Sequence, residues 1–163
     1  MKPGKKVFIV HGSNHNLRNA IALFIQNDLR LETVVMDAKA HKGRTLPEKF
    51  EEIAEECGFA VVLVTLDDRL IKGESLTQKD FAGKNIEKRR IRRPRQNVVL
   101  EAGYFWGKMG RKRVAFLVEQ SKGQQIPSDL SGIGYIPITK DLGRTKEELR
   151  KELEAWKTTW DAE

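Results

Sequence analysis

The eight residues Phe59-Ala-Val-Val-Leu-Val-Thr-Leu66 constrain this chain more than any other stretch. No alternation of apolar and polar positions marks a wet side, and the run is too short for an ordinary globular helix. It fits a central parallel strand covered on both faces. Parallel strands need long crossover connections, and the sequence supplies helical patterns on both sides of the run.

Lys6 to Val10 (KVFIV) reads as a first strand, ending in the turn cluster His11-Gly12-Ser13-Asn14, which also offers helix-capping side chains. From Asn16 to Leu29 the residues Leu17, Ala20, Ile21, Phe24, Ile25 and Leu29 recur at three- and four-residue steps, the mark of an amphipathic helix. Thr33 to Met36 is a second strand, followed by a polar loop from Asp37 to Arg44. Thr45 then serves as an N-cap, with Pro47 and Glu48 in the first helical turn. That helix shows Phe50, Ile53, Ala54 and Cys57 on one face and is expected to stop at Gly58 as a left-handed C-cap. Cys57, the only cysteine, is read as a packed helix-end residue rather than a nucleophile, and with three scattered histidines no metal site is expected.

Beyond Asp67-Asp68 an irregular segment runs to Arg93 with no assignable structure. Pro94 opens a helix to about Lys108 with Gly110 as its stop. Arg113 to Val118 is the fourth strand, Gly134 to Thr139 the fifth, and about Thr145 to Trp160 a final helix, amphipathic through Leu149, Leu153 and Trp156. The order predicts one α/β domain spanning residues 1–163: an open, five-stranded, mostly parallel sheet of order 2-1-3-4-5, with helices on both faces. Ligands of such sheets bind outside the carboxyl ends of the strands, near the switch between strands 1 and 3. That rule selects His11 to Asn14, the Asp37 to Arg44 loop and Asp67-Asp68.

Charge narrows the partners. The formal net charge is +7, of which the twelve residues Lys84 to Arg95 carry +6. This basic segment is read as a solvated loop, and the rest of the surface is close to balanced. Nucleic acid is therefore not expected as a partner. No apolar run approaches the roughly 18 residues of a membrane span, and Val7 to Val10 is too short for a signal-peptide core. A cytoplasmic protein is expected.

Glu101 is the only charge between Arg95 and Lys108, in Gln-Asn-Val-Val-Leu-Glu-Ala-Gly-Tyr-Phe-Trp-Gly. Helical spacing puts it on a face with Val98 and Phe105, so its carboxylate should border apolar surface. A carboxylate in that setting needs a partner or a task. Arg95 or Arg18 would serve as the partner. Gly103 and Gly107 weaken this helix, which points to close approach of another element or a ligand, or to close helix packing.

Five segments in order carry a resemblance: Val7-Phe-Ile-Val-His-Gly12; Gly43-Arg-Thr45 with Glu48-Lys-Phe50; Val61-Val-Leu-Val-Thr-Leu-Asp-Asp68; Arg95-Gln-Asn-Val-Val-Leu-Glu-Ala-Gly-Tyr-Phe105; and Pro127-Ser-Asp-Leu-Ser-Gly132. Over nearly its whole length the chain resembles the bacterial TIR-like domains of anti-phage effectors found in Pycsar effectors, with kinship to the TIR domains of TIR–STING fusions. The resemblance implies a flavodoxin-like TIR fold, NAD glycohydrolase activity with NAD as substrate and no added cofactor, and a catalytic glutamate at Glu101. Many TIR enzymes have a tryptophan four residues before this glutamate, where this chain has Asn97.

On that reading the substrate contacts fall to His11, Gly12, Ser13, Asn14, Arg44, Asp67, Arg95 and Asn97. Backbone N–H groups at Gly12 and Ser13 would receive the pyrophosphate, helped by Arg44 or Arg95. A plain strand-to-helix turn accounts for Gly12-Ser13 equally well, a packed or loop role fits His11, and a turn or cap role suits Asp67. Two other functions stand beside the hydrolase: a cyclase making a cyclic ADP-ribose, and a non-catalytic nucleotide-binding module that self-assembles. The family's effectors join the TIR domain to a sensor for a cyclic nucleotide. No such sensor is legible here, so either the chain is an excerpt or a partner supplies activation.

Overall fold

A computed structural model describes residues 4–36, 46–71, 90–121 and 132–160. The chain runs β1 (Lys6–Val10), α1 (His15–Asp28), β2 (Thr33–Val35), α2 (Leu46–Glu55), β3 (Cys57–Val64), β4 (Asp68–Ile71), β5 (Arg90–Arg93) and α3 (Gln96–Met109). After a 3-10 turn at Arg111–Arg113 come β6 (Val114–Val118), β7 (Ile136–Pro137) and α4 (Gly143–Lys157). Five strands form one sheet of order β2-β1-β3-β6-β7, every adjacent pair parallel. Counting only these five, this is the predicted 2-1-3-4-5 order.

The burial of β3 on both faces follows from the side-chain period of two. Phe59, Val61 and Leu63 join Val7, Ile9, Ala115 and Leu117 in a core covered by α1 and α4, through Ile21, Phe24, Ile25, Leu149, Leu153 and Trp156. Ala60, Val62 and Val64 join Phe8, Val10, Val114, Phe116 and Val118 in a second core, covered by α2 and α3 through Ala54, Val98, Ala102 and Phe105. Phe8 packs against both Phe50 and Phe105, with ring centroids 5.6 and 4.6 Å apart.

The structure corrects the boundary between α2 and β3. The helix ends at Glu55, and Cys57 and Gly58 already belong to β3. Pairing with β1 jumps from Lys6↔Cys57 to Val7↔Phe59, so Gly58 is the extra residue of a bulge. A Cβ at Gly58 would collide with the Gly4 carbonyl oxygen and the Trp156 ring. Glycine is there for close approach, not as a helix cap. Cys57 is buried, its Sγ donates to the Ile53 carbonyl at 3.4 Å, and burial pushes its thiol up to about 12, which keeps it inert.

The segment left without structure contains a second, two-stranded sheet. β4 and β5 pair antiparallel, Asp68 opposite Arg93 and Ile71 opposite Arg90. The last part of the basic segment is thus a strand rather than a loop, because Arg90–Arg93 find backbone partners in Asp68–Ile71. Residues 84–89, the Asp37 to Arg44 loop, Thr45 as an N-cap and Pro127 to Ser131 of the fifth motif lie outside the described residues. The fifth sheet strand is shorter than expected, since Thr145 Oγ1 takes the Thr139 N–H at 2.9 Å and donates to the Pro137 carbonyl at 2.8 Å. No helix of the described residues is long and apolar enough to cross a membrane.

Candidate active site

The carboxyl ends of the parallel strands are drawn together by side chains. β1 ends at Val10, and the chain turns through Gly12 into α1, whose N-cap is Asn14 with its side chain accepting the Leu17 N–H at 3.1 Å. β3 ends at Val64. Asp67, three residues on, accepts the Ser13 N–H at 2.7 Å and the Thr65 hydroxyl at 3.0 Å on the same oxygen, Oδ2. A Cβ at Gly12 would meet that oxygen, so glycine is required for the carboxylate to reach across. His11 Nδ1 lies 2.8 Å from the Gly12 carbonyl oxygen, and its ring meets His15 edge-on at 5.6 Å.

The expected contacts therefore divide. Gly12, Ser13 and Asp67 come together, but as a strap between β1 and β3: the Ser13 N–H expected for a pyrophosphate is already held by Asp67. Asn14 spends its side-chain oxygen on the helix cap. Arg95 and Asn97 are exposed at the start of α3, Arg95 as its N-cap with Nε 3.8 Å from Asp68 Oδ1. Arg44 lies outside the described residues.

α3 runs back from the carboxyl edge, anchored on β1, β3 and β6 by Val98, Ala102 and Phe105. Glu101 lies between these anchors, about 7.5 Å along the axis from Gln96 at roughly 1.5 Å per residue. It is half-buried, and burial alone raises its carboxyl from 4.5 to about 7. No hydrogen bond or ion pair joins Glu101 to another described residue. Neither expected arginine neutralises it: Arg95 leans to Asp68, and Arg18 donates to Asn19 through Nε and Nη2. Gly103 and Gly107 open onto space among the described residues, nothing lying within 4 Å of a Cβ built there, so no other described element approaches them closely.

Sequence reasoning passed over three polar residues at this edge. Thr65, buried inside the apolar run, supports Asp67. Glu119, the first residue after β6, accepts the Leu66 N–H at 3.0 Å. Arg92 on β5 donates to the Leu66 carbonyl at 3.2 Å. The positions of Thr65 and Glu119, at the ends of apolar strands, were the available signal.

Two clefts, each of about 500 Å³, lie elsewhere: one beside β2, lined by Lys6, Gln26, Glu32 and Glu56, and one beside β7, lined by Arg111, Tyr135, Glu148 and Lys151. Both take residues from the amino ends of strands, Lys6 of β1 and Val114 of β6, and neither includes Glu101. The polar groups described above point to the carboxyl edge. Among the described residues no group of three or more His, Cys, Asp or Glu side chains is arranged to hold a metal ion.

A doubly wound parallel sheet with a half-buried carboxylate, which has no partner among the described residues, beside its carboxyl edge places the chain among flavodoxin-like α/β domains. The family is narrower than that. The profile described as "CAP12/Pycsar effector protein, TIR domain" matches residues 6–140, and the chain belongs to this family of TIR domains. Protein tirC of Dictyostelium discoideum is 34% identical over 148 residues, covering 88% of this chain and 69% of tirC. The uncharacterized protein YuaY of Escherichia coli (strain K12) is 38% identical over 149 residues, 91% of this chain and 44% of YuaY. Pycsar effector protein BcPycTIR of Burkholderia cepacia is 40% identical over 91 residues, 51% of this chain and 29% of BcPycTIR. The chain thus spans less than half of YuaY and under a third of BcPycTIR.

Proposed function

We propose that this domain hydrolyses the bond between nicotinamide and ribose in NAD, with Glu101 as the catalytic carboxylate, and that it acts as an effector domain in anti-phage defence. The observation that carries the reading is the state of Glu101: half-buried, raised to about 7 by desolvation, and without a partner among the described residues, on a helix that begins at the ligand edge of the sheet. A structural carboxylate would have been given a cation. The family supports the defence role, since its members include proteins named as Pycsar effectors.

In this reaction the bond from ribose C1′ to the ring nitrogen breaks with its electron pair going to nicotinamide, which departs neutral. Positive charge is left on the ribose. Water then forms the new bond to C1′ and gives up a proton. Ionised Glu101 opposes the ribose charge and orients the water, an electrostatic contribution of several kcal/mol in a dry site. The cationic nicotinamide ring favours the ionised form on binding, so substrate helps to charge the residue that attacks its stability. Because the Ser13 N–H is occupied, Arg95, exposed as the N-cap of α3, is assigned to the pyrophosphate. Self-association on activation, and a sensor domain or partner that binds a cyclic nucleotide, belong to the same proposal.

The test is release of free nicotinamide from NAD by the concentrated or artificially clustered protein and by Glu101→Gln. Release by the parent protein and not by the variant is expected. Equal release would remove Glu101 from the mechanism, and no release under either condition would favour a nucleotide-binding assembly module. A cyclic ADP-ribose among the products would replace water by adenine as the attacking group.

A further inference from the structure

The carboxyl edge holds a cluster that the proposed chemistry does not use. Leu66, buried where β3 turns toward the hairpin, has both of its backbone polar groups held by distant side chains: its N–H by Glu119 Oε2 at 3.0 Å, its carbonyl by Arg92 Nη2 at 3.2 Å. Arg92 Nη2 also lies 3.4 Å from Glu119 Oε1, which closes the ring. Glu119 is itself fixed at the backbone, its N–H bonded to the Val64 carbonyl at 3.0 Å. Arg92 Nε is buried with no hydrogen-bond partner among the described residues. An arginine that leaves one donor unsatisfied in order to aim another at Leu66 and Glu119 is placed for position rather than for solubility.

One residue beyond Leu66 is Asp67, whose Oδ2 holds Ser13 and, through the space left by Gly12, closes the β1–α1 loop. We propose that Arg92 and Glu119 are positioning residues: by gripping Leu66 they set Asp67 and so fix the β1–α1 loop at the ligand edge. The consequence for NAD rests on the function proposed above, whereas the clamp itself does not.

The test uses the full chain with Arg92→Ala, Arg92→Lys and Glu119→Gln. Amide hydrogen exchange at Ser13 reads the clamp without reference to activity, and exchange at Phe116 and Leu117 in β6 reports the intact sheet. In Arg92→Ala, Ser13 exchange rises on the order of tenfold while β6 stays protected. Arg92→Lys is intermediate, since a single ammonium is a poorer fit to two acceptors. KM for NAD rises on the order of tenfold in Arg92→Ala, with kcat held within about twofold, because Asp68, the neighbour of Asp67, lies 3.8 Å from Arg95, to which the pyrophosphate is assigned, while Glu101 stands on a different element from the clamp. Should Arg92→Ala fail to fold, Glu119→Gln carries the same decision, since it keeps an acceptor for Leu66 but loses the ion pair. Unchanged Ser13 exchange in the folded variants overturns the proposal. A loosened Ser13 with no nicotinamide released by the parent protein leaves the clamp standing and removes the NAD reading instead.

Discussion

The Asp67 carboxylate occupies the space that a side chain at Gly12 would need. One oxygen there joins three points, the Gly12 turn, the Ser13 N–H and the Thr65 hydroxyl, so the ends of β1 and β3 move as one piece. Gly12→Ala therefore pushes the carboxylate off both donors. We expect a loss of about 1–3 kcal/mol in urea unfolding, with the secondary structure retained. A variant as stable as the parent would mean that the carboxylate has another seat.

Glu101→Gln is expected to lower NAD cleavage on the order of 100-fold or more while leaving the protein folded. Its stability should behave in the opposite way to that of a structural residue. The folded-state carboxyl is raised from 4.5 to about 7, so between those values the native protein holds more protons than the unfolded chain. Stability from this group is thus lost as pH rises through 7, by about 1–3 kcal/mol. Glu101→Gln should flatten that part of the curve, measured as unfolding midpoints from pH 4 to 8 by comparison with the parent.

The same ionisation sets the pH dependence of activity. If the carboxylate form does the work, kcat/KM for NAD climbs with pH through about 7 and levels above it, since kcat/KM reports the free protein. In kcat the midpoint should fall lower, because the bound nicotinamide cation favours the charged form. A profile that is flat from pH 5 to 8 would contradict this assignment.

Gly58→Ala places a methyl group against the Gly4 carbonyl and the Trp156 ring. Neither neighbour is the loose end of a flexible chain, and the bulge has to open to admit it. We expect about 1–3 kcal/mol of destabilisation in thermal or urea unfolding, with nicotinamide release per folded molecule unchanged.

What the sequence made legible followed from strong periodicities. Phe59 to Leu66 declared a strand buried on two sides, and α1, α3 and α4 showed their apolar stripes, so the sheet order and the odd position of Glu101 could be read directly. The boundary at Cys57 could not, because the helical spacing of Phe50, Ile53 and Ala54 continues onto Cys57 while the bulge at Gly58 depends on Gly4 and Trp156, distant in the chain. Arg90–Arg93 hid as a strand because no apolar alternation marks it, its order coming from backbone pairing with Asp68–Ile71. Arg92 and Glu119 escaped notice since their shared partner, Leu66, stands 26 and 53 residues away. Asp67, read as a ligand contact or as a turn or cap residue, also straps β1 to β3, a role that only its approach to Gly12 reveals.

Because the sheet deals its residues alternately to two layers, neighbours such as Ile9 and Val10 answer to different demands. Volume can be traded among Ile21, Leu149 and Leu153 on one side without that change reaching Phe8, Phe50 and Phe105 beneath the helix that carries Glu101. Substitutions in the first layer are expected to leave the aromatic bed of the second in place. Sequence drift should therefore run at two speeds through a single strand.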